Sequence, residues 1–175
     1  LVLKSPEFKK YKYSNAPDLK KNAQVSHMAA AQGMILLKDD DRSLPLKGKK
    51  IALFGNTSYD LVAGGTGSGN VNKAYTISLV QGLTNGGYTV DNNLKNAYQT
   101  YIGDAKAKQP HNAMSFFMLP PPIPQMEIGQ DVLAQQVENA DEAIITIGRN
   151  AGEGADRKVE NDFNLMDSEK ALIKN

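Results

Sequence analysis

The clearest hydrophobic pattern in this chain is a pair of short apolar runs that lie far apart in the sequence. Lys50-Ile-Ala-Leu-Phe54 and Ala143-Ile-Ile-Thr-Ile147 are too short for helices, and their continuous hydrophobicity is typical of strands buried in a parallel sheet. A weaker strand-like run, Tyr88-Thr-Val90, lies between them and follows two glycines. The sequence therefore predicts three strands, of which two are buried.

Helical patterns separate these strands. Asp18 can cap a first helix that ends near Gly33, and Asp167-Ser168 can cap a last one. The other predicted helices span residues 76–83, 94–102 and 130–140. This alternation predicts an α/β fold with a mostly parallel sheet flanked by helices. Because such sheets usually have about five or six strands, we expect a domain truncated on its C-terminal side, whose open strand edges favour self-association.

Composition excludes several classes of protein. The 175 residues suffice for one domain, and 20 basic against 19 acidic residues leave a net charge of +1, too little to attract nucleic acid or an anionic membrane. No apolar stretch reaches the ~20 residues of a membrane span. The chain lacks cysteine and has only His27 and His111 as imidazoles, so we expect no disulfide, thiol nucleophile or metal site. Nothing in the sequence indicates the compartment.

Two glycine-containing loops carry the candidate chemistry. Glu153 follows the second strong strand and has a glycine on either side, at the end of a strand where α/β sheets bind ligands. Taken alone, such an acid is more often part of a solvated turn. The upstream loop, Gly64-Gly-Thr-Gly-Ser-Gly-Asn70, offers backbone N–H groups and two hydroxyls. It lacks the lysine of a phosphate loop, so it suits a polyhydroxyl ligand as well as an anion.

Several motifs together resemble the C-terminal α/β sandwich domain of glycoside hydrolase family 3, the family of many bacterial β-glucosidases. The resemblance covers nearly the whole chain, and the two glycine loops are its most specific parts. The matching segments are Lys12-Tyr-Ser-Asn-Ala-Pro-Asp18, Ala31-Gln-Gly-Met-Ile-Leu-Leu-Lys38 with Leu44-Pro-Leu46, the Gly64–Gly69 loop with Tyr75-Thr-Ile-Ser78, and Gly152-Glu-Gly-Ala-Asp-Arg157.

The resemblance implies a domain organisation and an activity. Residues 1–30 would be a linker and first helix that follow a missing (β/α)8-type barrel, and residues 31–175 would be part of the sandwich domain. The parent protein would be a retaining exo-β-glycosidase acting on β-glucosides without a cofactor, and this chain alone would be inactive. Glu153 would be the general acid/base and Ser68 a sugar contact. From their positions just beyond Glu153, we expect Asp156 and Arg157 to orient the acid-bearing loop through an ion pair rather than to contact sugar.

Two alternatives remain open at this point. The chain could be a non-catalytic α/β module that binds a nucleotide or a sugar with its glycine-rich loop. It could also be a structural domain in which the acidic loop is inert. A binding module should hold its ligand unaided, whereas half of a shared active site should bind it weakly or not at all.

Overall fold

The computed structural model describes residues 4, 10, 15–110, 120–151, 153 and 156–175. The predicted linker lies mostly outside these residues, as do His111 and the two glycines beside Glu153. The chain divides into two compact units, residues 1–45 and 46–175. The boundary predicted at residue 30 stays a prediction.

In the described residues of the first unit, the long helix is α1 (Leu19–Gln32). Asp18 Oδ1 accepts a hydrogen bond from Lys21 N at 2.9 Å, and the helix ends at Gly33, so both predicted ends are confirmed. No residue of α1 is buried within the described part of the chain. The apolar run that follows, residues 34–37, is exposed as well.

The second unit is built on a parallel sheet of three strands in the order β2-β1-β3, which confirms the predicted fold class. The register pairs Ile51 with Val90 on one side and Phe54 with Ile145 on the other. The strands are β1 (Lys50–Phe54), β2 (Thr89–Val90) and β3 (Glu142–Ile145). The helices are α2 (Asn56–Tyr59), α3 (Leu79–Asn85), α4 (Asn92–Ala107), α5 (Gln130–Asn139) and α6 (Asp167–Lys174).

Strand β1 is central and is buried on both faces. Its residues alternate between two apolar clusters, with Ile51 and Leu53 on one face and Ala52 and Phe54 on the other. The first cluster includes apolar residues of α3, and the second includes residues of α4 and α6. Helices therefore cover both faces of the sheet, as a parallel sheet requires.

Strand β3 differs from its prediction as a buried strand. It ends at Ile145 rather than Ile147, and Ala143 and Ile145 are exposed because the strand lies at the edge of the three-stranded sheet. Hydrophobicity predicts that a segment is a strand, but its position within the sheet depends on which strands pair.

Two helix starts also differ from the predictions. The helix predicted from residue 76 begins at Leu79, because Ser78 and Gln81 form a reciprocal capping box. The last helix has Met166 as its N-cap, not Asp167-Ser168. The hydroxyl of Ser168 instead accepts a hydrogen bond from Gln125 N at 3.1 Å.

Two acidic side chains at the start of β3 hold the segment that enters β1. Asp141 Oδ2 accepts from Lys49 N and Lys50 N at 2.8 and 2.9 Å. Glu142 Oε1 accepts from Lys47 N and Gly48 N at 2.6 and 2.8 Å. The hydrogen bonds from Lys50 and then Lys49 hold the pKa of Asp141 below its ordinary value. These four bonds fix the register between β1 and β3.

Candidate active site

The two glycine-containing loops meet beyond the carboxyl ends of strands β1 and β3. The glycine-rich loop follows β1 and α2, and the segment with Glu153 follows β3. Because β1 and β3 are parallel, their carboxyl ends lie at the same edge. Glu153 Oε1 accepts hydrogen bonds from Ser68 N, at 3.1 Å, and from Ser68 Oγ. The structure thus brings together the acid and the serine that the sequence singled out, and both side chains are exposed.

Glycines make this close approach possible. Gly67 has a φ of +62°, and a Cβ built on it would lie 2.3 Å from Glu153 Oε2. A Cβ on Gly65 would lie 2.4 Å from the carbonyl oxygen of Ala151, in the segment that carries Glu153. A side chain at position 65 would collide with backbone, whereas one at position 67 would push the Glu153 carboxylate away. Gly67 also has the left-handed conformation that glycine adopts readily. Gly65 and Gly67 therefore serve the contact with the acid-bearing segment.

This contact uses the anion-binding groups of the loop. The N–H and the hydroxyl of Ser68 both point to a carboxylate of the same chain. A phosphate at this position would have to displace Glu153, and like charges would repel. The geometry therefore disfavours a nucleotide at Ser68.

A partly buried ion pair, which sequence reasoning missed, lies at the base of the acid-bearing segment. Arg149 Nη1 and Nη2 donate to Glu169 Oε1 and Oε2 at 2.6 and 2.7 Å. The side chain of Glu169 is 1% exposed. Burial alone would raise the pKa of Glu169, but the Arg149 guanidinium and the Met166 N–H hold that pKa below its ordinary value. The hydrogen bond to Glu169 likewise raises the pKa of Arg149.

The structure gives Arg157 a partner that the sequence did not indicate. Arg157 Nη2 and Nε donate to Asp162 Oδ1 and Oδ2 at 2.8 and 3.2 Å. The Arg157 hydrogen bond is the main cause that lowers the pKa of Asp162. Asp156 is exposed and lines a neighbouring cleft. Arg157 therefore forms its ion pair with Asp162, and the role of such a pair in orienting the acid-bearing loop stays a prediction.

The cleft beside this segment has a volume of about 790 Å³. Its described lining includes Asp156, residues 148–151 after β3 and Asn56 after β1, but neither Glu153 nor Ser68. Four of its charged side chains are already engaged in the pairs Arg149–Glu169 and Arg157–Asp162. We therefore take the contact between Glu153 and Ser68, rather than this cleft, as the candidate site.

The described residues hold no cluster of three or more His, Asp or Glu side chains that could bind a metal ion. Within the same residues, none of the helices combines the length and the apolar character that crossing a membrane requires.

Comparisons with known proteins find a matching family model and two similar β-glucosidases. Residues 34–175 match the model of the glycosyl hydrolase family 3 C-terminal domain. The chain is 39% identical over 144 residues to β-glucosidase A of Butyrivibrio fibrisolvens and 31% identical over 160 residues to a β-glucosidase of Ruminococcus albus. These alignments cover 79% and 89% of this chain but 16% of each relative.

Solved structures show the same similarity. β-Glucosidase 3B of Thermotoga neapolitana, in complex with α-D-glucose, superposes with a TM-score of 0.84 at 37% identity, over 99% of this chain and 24% of that enzyme. A β-glucosidase of Paenibacillus barengoltzii superposes with a TM-score of 0.76 at 29% identity, over 87% of this chain and 17% of that enzyme. The chain thus spans less than a quarter of these solved relatives.

Proposed function

This chain belongs to the family of glycosyl hydrolase family 3 C-terminal domains, and we propose that it supplies the general acid/base of a retaining exo-β-glycosidase. The substrates are β-glucosides, from which the enzyme releases terminal non-reducing β-D-glucosyl residues. Glu153 is the acid/base, and Ser68 contacts the sugar. The related proteins are β-glucosidases, which supports glucose as the sugar.

One observation carries the proposal. The Glu153 carboxylate is exposed at the carboxyl end of the sheet, and Ser68 N and Oγ hold it in place. An acid/base must reach the oxygen of a bound glycoside, so it has to be both exposed and oriented. The close packing against Gly67 orients the carboxylate, and its position at the open edge leaves it accessible.

The reaction needs a second carboxylate that this chain does not supply. In a retaining glycosidase, a nucleophilic carboxylate lies about 5–5.5 Å from the acid/base. We propose that the nucleophile is an aspartate on a (β/α)8-type barrel domain of the same protein. The sugar would then bind between that barrel and the glycine-rich loop, and this chain alone would not hydrolyse glycosides.

Glu153 acts in both halves of the reaction. In the first, the nucleophile forms an ester bond with the anomeric carbon, the bond to the leaving oxygen breaks, and Glu153 gives its proton to that oxygen. In the second, Glu153 takes a proton from water, whose oxygen attacks the anomeric carbon and releases the nucleophile. These steps require no metal or organic cofactor.

Ser68 can serve the acid and the sugar at the same time. Its hydroxyl has one proton, which it donates to Glu153 Oε1, and two lone pairs that can accept from a sugar hydroxyl. A hydroxyl in this position would couple the location of the sugar to that of the acid. Ser68 would therefore contribute to binding as well as to orientation.

The test is Glu153→Ala in the full-length enzyme. General acid catalysis contributes about 10²–10⁴-fold, so kcat/KM for a β-linked glucose disaccharide should fall by roughly that factor. The value for a dinitrophenyl β-glucoside should fall much less, because its leaving group needs no protonation. Azide, which fits where the carboxylate was, should restore turnover as a glucosyl azide.

Glu160→Ala is a matched control, since Glu160 is an exposed glutamate in the same segment. This variant should leave kcat/KM unchanged for both substrates. Equal losses on the two substrates with Glu153→Ala, without azide rescue, would refute the proposed role. Tight binding of glucose or a nucleotide by this chain alone would favour the non-catalytic binding module instead.

A further inference from the structure

The Arg149 side chain connects the two ends of the segment that carries Glu153. Its guanidinium donates to Glu169, at the start of α6, and to the backbone carbonyls of Gly148 at 2.8 Å and Asn164 at 3.2 Å. Its Nε donates to the carbonyl oxygen of Asp162. One side chain thus joins Gly148, which follows β3, to Asp162 and Asn164, which precede α6.

The acidic partner is fixed from several sides. Glu169 has both carboxylate oxygens on Arg149, and Oε2 also accepts from Met166 N at 2.9 Å, at the N-cap of α6. The carboxylate is almost fully buried. A buried carboxylate bound at both oxygens has little freedom to move, so it anchors the arginine to the helix.

A second arginine continues the same network. Arg157 Nη2 donates to the carbonyl oxygen of Asp162, at 3.2 Å, which is the carbonyl that Arg149 Nε also contacts. Glu153 lies between the two arginines in the sequence, four residues after the first and four before the second. The segment is therefore held on both sides of the acid, while the acid itself contacts the glycine-rich loop.

We propose that Arg149 and Glu169 are positioning residues for the proton transfer by Glu153. They hold the base of its segment on α6, so that the carboxylate meets Ser68 and the glycosidic oxygen at the correct distance. The inference rests on the proposed function of Glu153 and extends it to two residues that touch no substrate. A displacement of about 1 Å at the reacting groups can cost roughly 10²-fold in rate.

Arg149→Lys and Glu169→Gln in the full-length enzyme test this proposal. Lysine keeps the charge but cannot span two carboxylate oxygens and the carbonyls, and glutamine keeps the shape but loses the charge. We expect kcat/KM for the disaccharide to fall about 10–100-fold in each variant. The value for the dinitrophenyl glucoside should change by less than about threefold, because that substrate does not need the acid.

Asp167→Asn is the matched control on the same helix. It removes an exposed ion pair, Lys170 Nζ to Asp167 Oδ1 at 3.0 Å, next to the buried one. Both substrates should keep their kcat/KM. A general loss of structure in α6 would instead lower kcat/KM for both substrates by the same factor in Arg149→Lys and Glu169→Gln. It would also lower the fraction of active enzyme.

A double-mutant cycle separates the two proposals. If Arg149 acts through Glu153, Arg149→Lys in a Glu153→Ala background should change the disaccharide rate by no more than about twofold. Losses that multiply, or equal losses on both substrates in the single variants, would overturn the positioning role while leaving Glu153 as the acid. If Glu153→Ala itself fails its substrate and azide tests, the proposed function falls and the positioning role falls with it. Should one variant fail to fold, the other decides the outcome.

Discussion

The substitution Gly67→Ala tests whether the glycine-rich loop positions the acid. The added methyl group would start 2.3 Å from Glu153 Oε2 and 2.7 Å from its carboxyl carbon. To reach ordinary van der Waals contact, Oε2 must retreat by about 1 Å. The obstacle is the far end of a flexible side chain, so the carboxylate can swing away while the backbone stays in place.

The cost of this change falls mainly on catalysis. Alanine at a φ of +62° costs about 1–2 kcal/mol of stability relative to glycine. A 1 Å displacement of the acid, by contrast, can reduce the rate roughly 10²-fold. We therefore expect Gly67→Ala to fold and to lose about two orders of magnitude in kcat/KM for a β-linked disaccharide.

Gly69→Ala provides the control within the same loop. A Cβ on Gly69 meets no atom within 4 Å, and the φ of this residue is not positive. This variant should keep the activity and stability of the parent enzyme. The assay is kcat/KM for the disaccharide and for a dinitrophenyl glucoside in the full-length enzyme, with thermal unfolding of each variant.

Two results would refute the reasoning. If Gly67→Ala and Gly69→Ala behave alike, the contact with Glu153 does not determine the position of the acid. If Gly67→Ala lowers kcat/KM equally for both substrates, the methyl group disturbs sugar binding or folding instead of proton transfer.

Two further predictions concern stability. Tyr98→Phe leaves the buried N–H of Gly55, now 3.0 Å from the tyrosine oxygen, without an acceptor, and should cost about 1–3 kcal/mol in urea unfolding. Tyr101→Phe, whose hydroxyl is bonded at an exposed site, should cost clearly less, and equal costs would contradict this explanation. Hydrogen bonds from Lys50 and the preceding residue lower the folded-state pKa of Asp141, so its stabilisation is present at neutral pH and is lost as the pH falls through that pKa. Asp141→Asn should therefore reduce the loss of stability on acidification, and an unchanged pH profile would refute the assignment.

Local patterns predicted the elements with strong signals of their own. Strand β1 has its predicted bounds because four consecutive apolar residues, Ile51 to Phe54, combine strand propensity with burial on both faces. Helix α1 has its predicted ends because Asp18 and Gly33 each bond to backbone groups within one turn of the helix. The helix predicted from residue 76 begins at Leu79 instead, because the reciprocal cap between Ser78 and Gln81 sets its start.

The candidate site was only partly readable in the sequence. The glycine-flanked acid and the glycine-rich loop could be singled out by their residue types, and their motifs matched a family. The ion pair of Arg149 and Glu169 joins residues 20 positions apart, and neither has a local feature that names its partner. The pairing of Arg157 with Asp162, rather than with Asp156, likewise depends on the path of the chain between them.

By itself, the sequence determined the α/β class, the extent of the central strand and the two loops that carry the candidate chemistry. Those properties follow from hydrophobicity, caps and glycine content, which act over a few residues. Only the tertiary structure decided that β3 lies at the edge, that Ser68 meets Glu153 across 85 positions of sequence, and that Arg149 pairs with the buried Glu169. Such contacts arise from the pairing of parallel strands, which brings distant residues to one edge of the sheet and which no local pattern encodes.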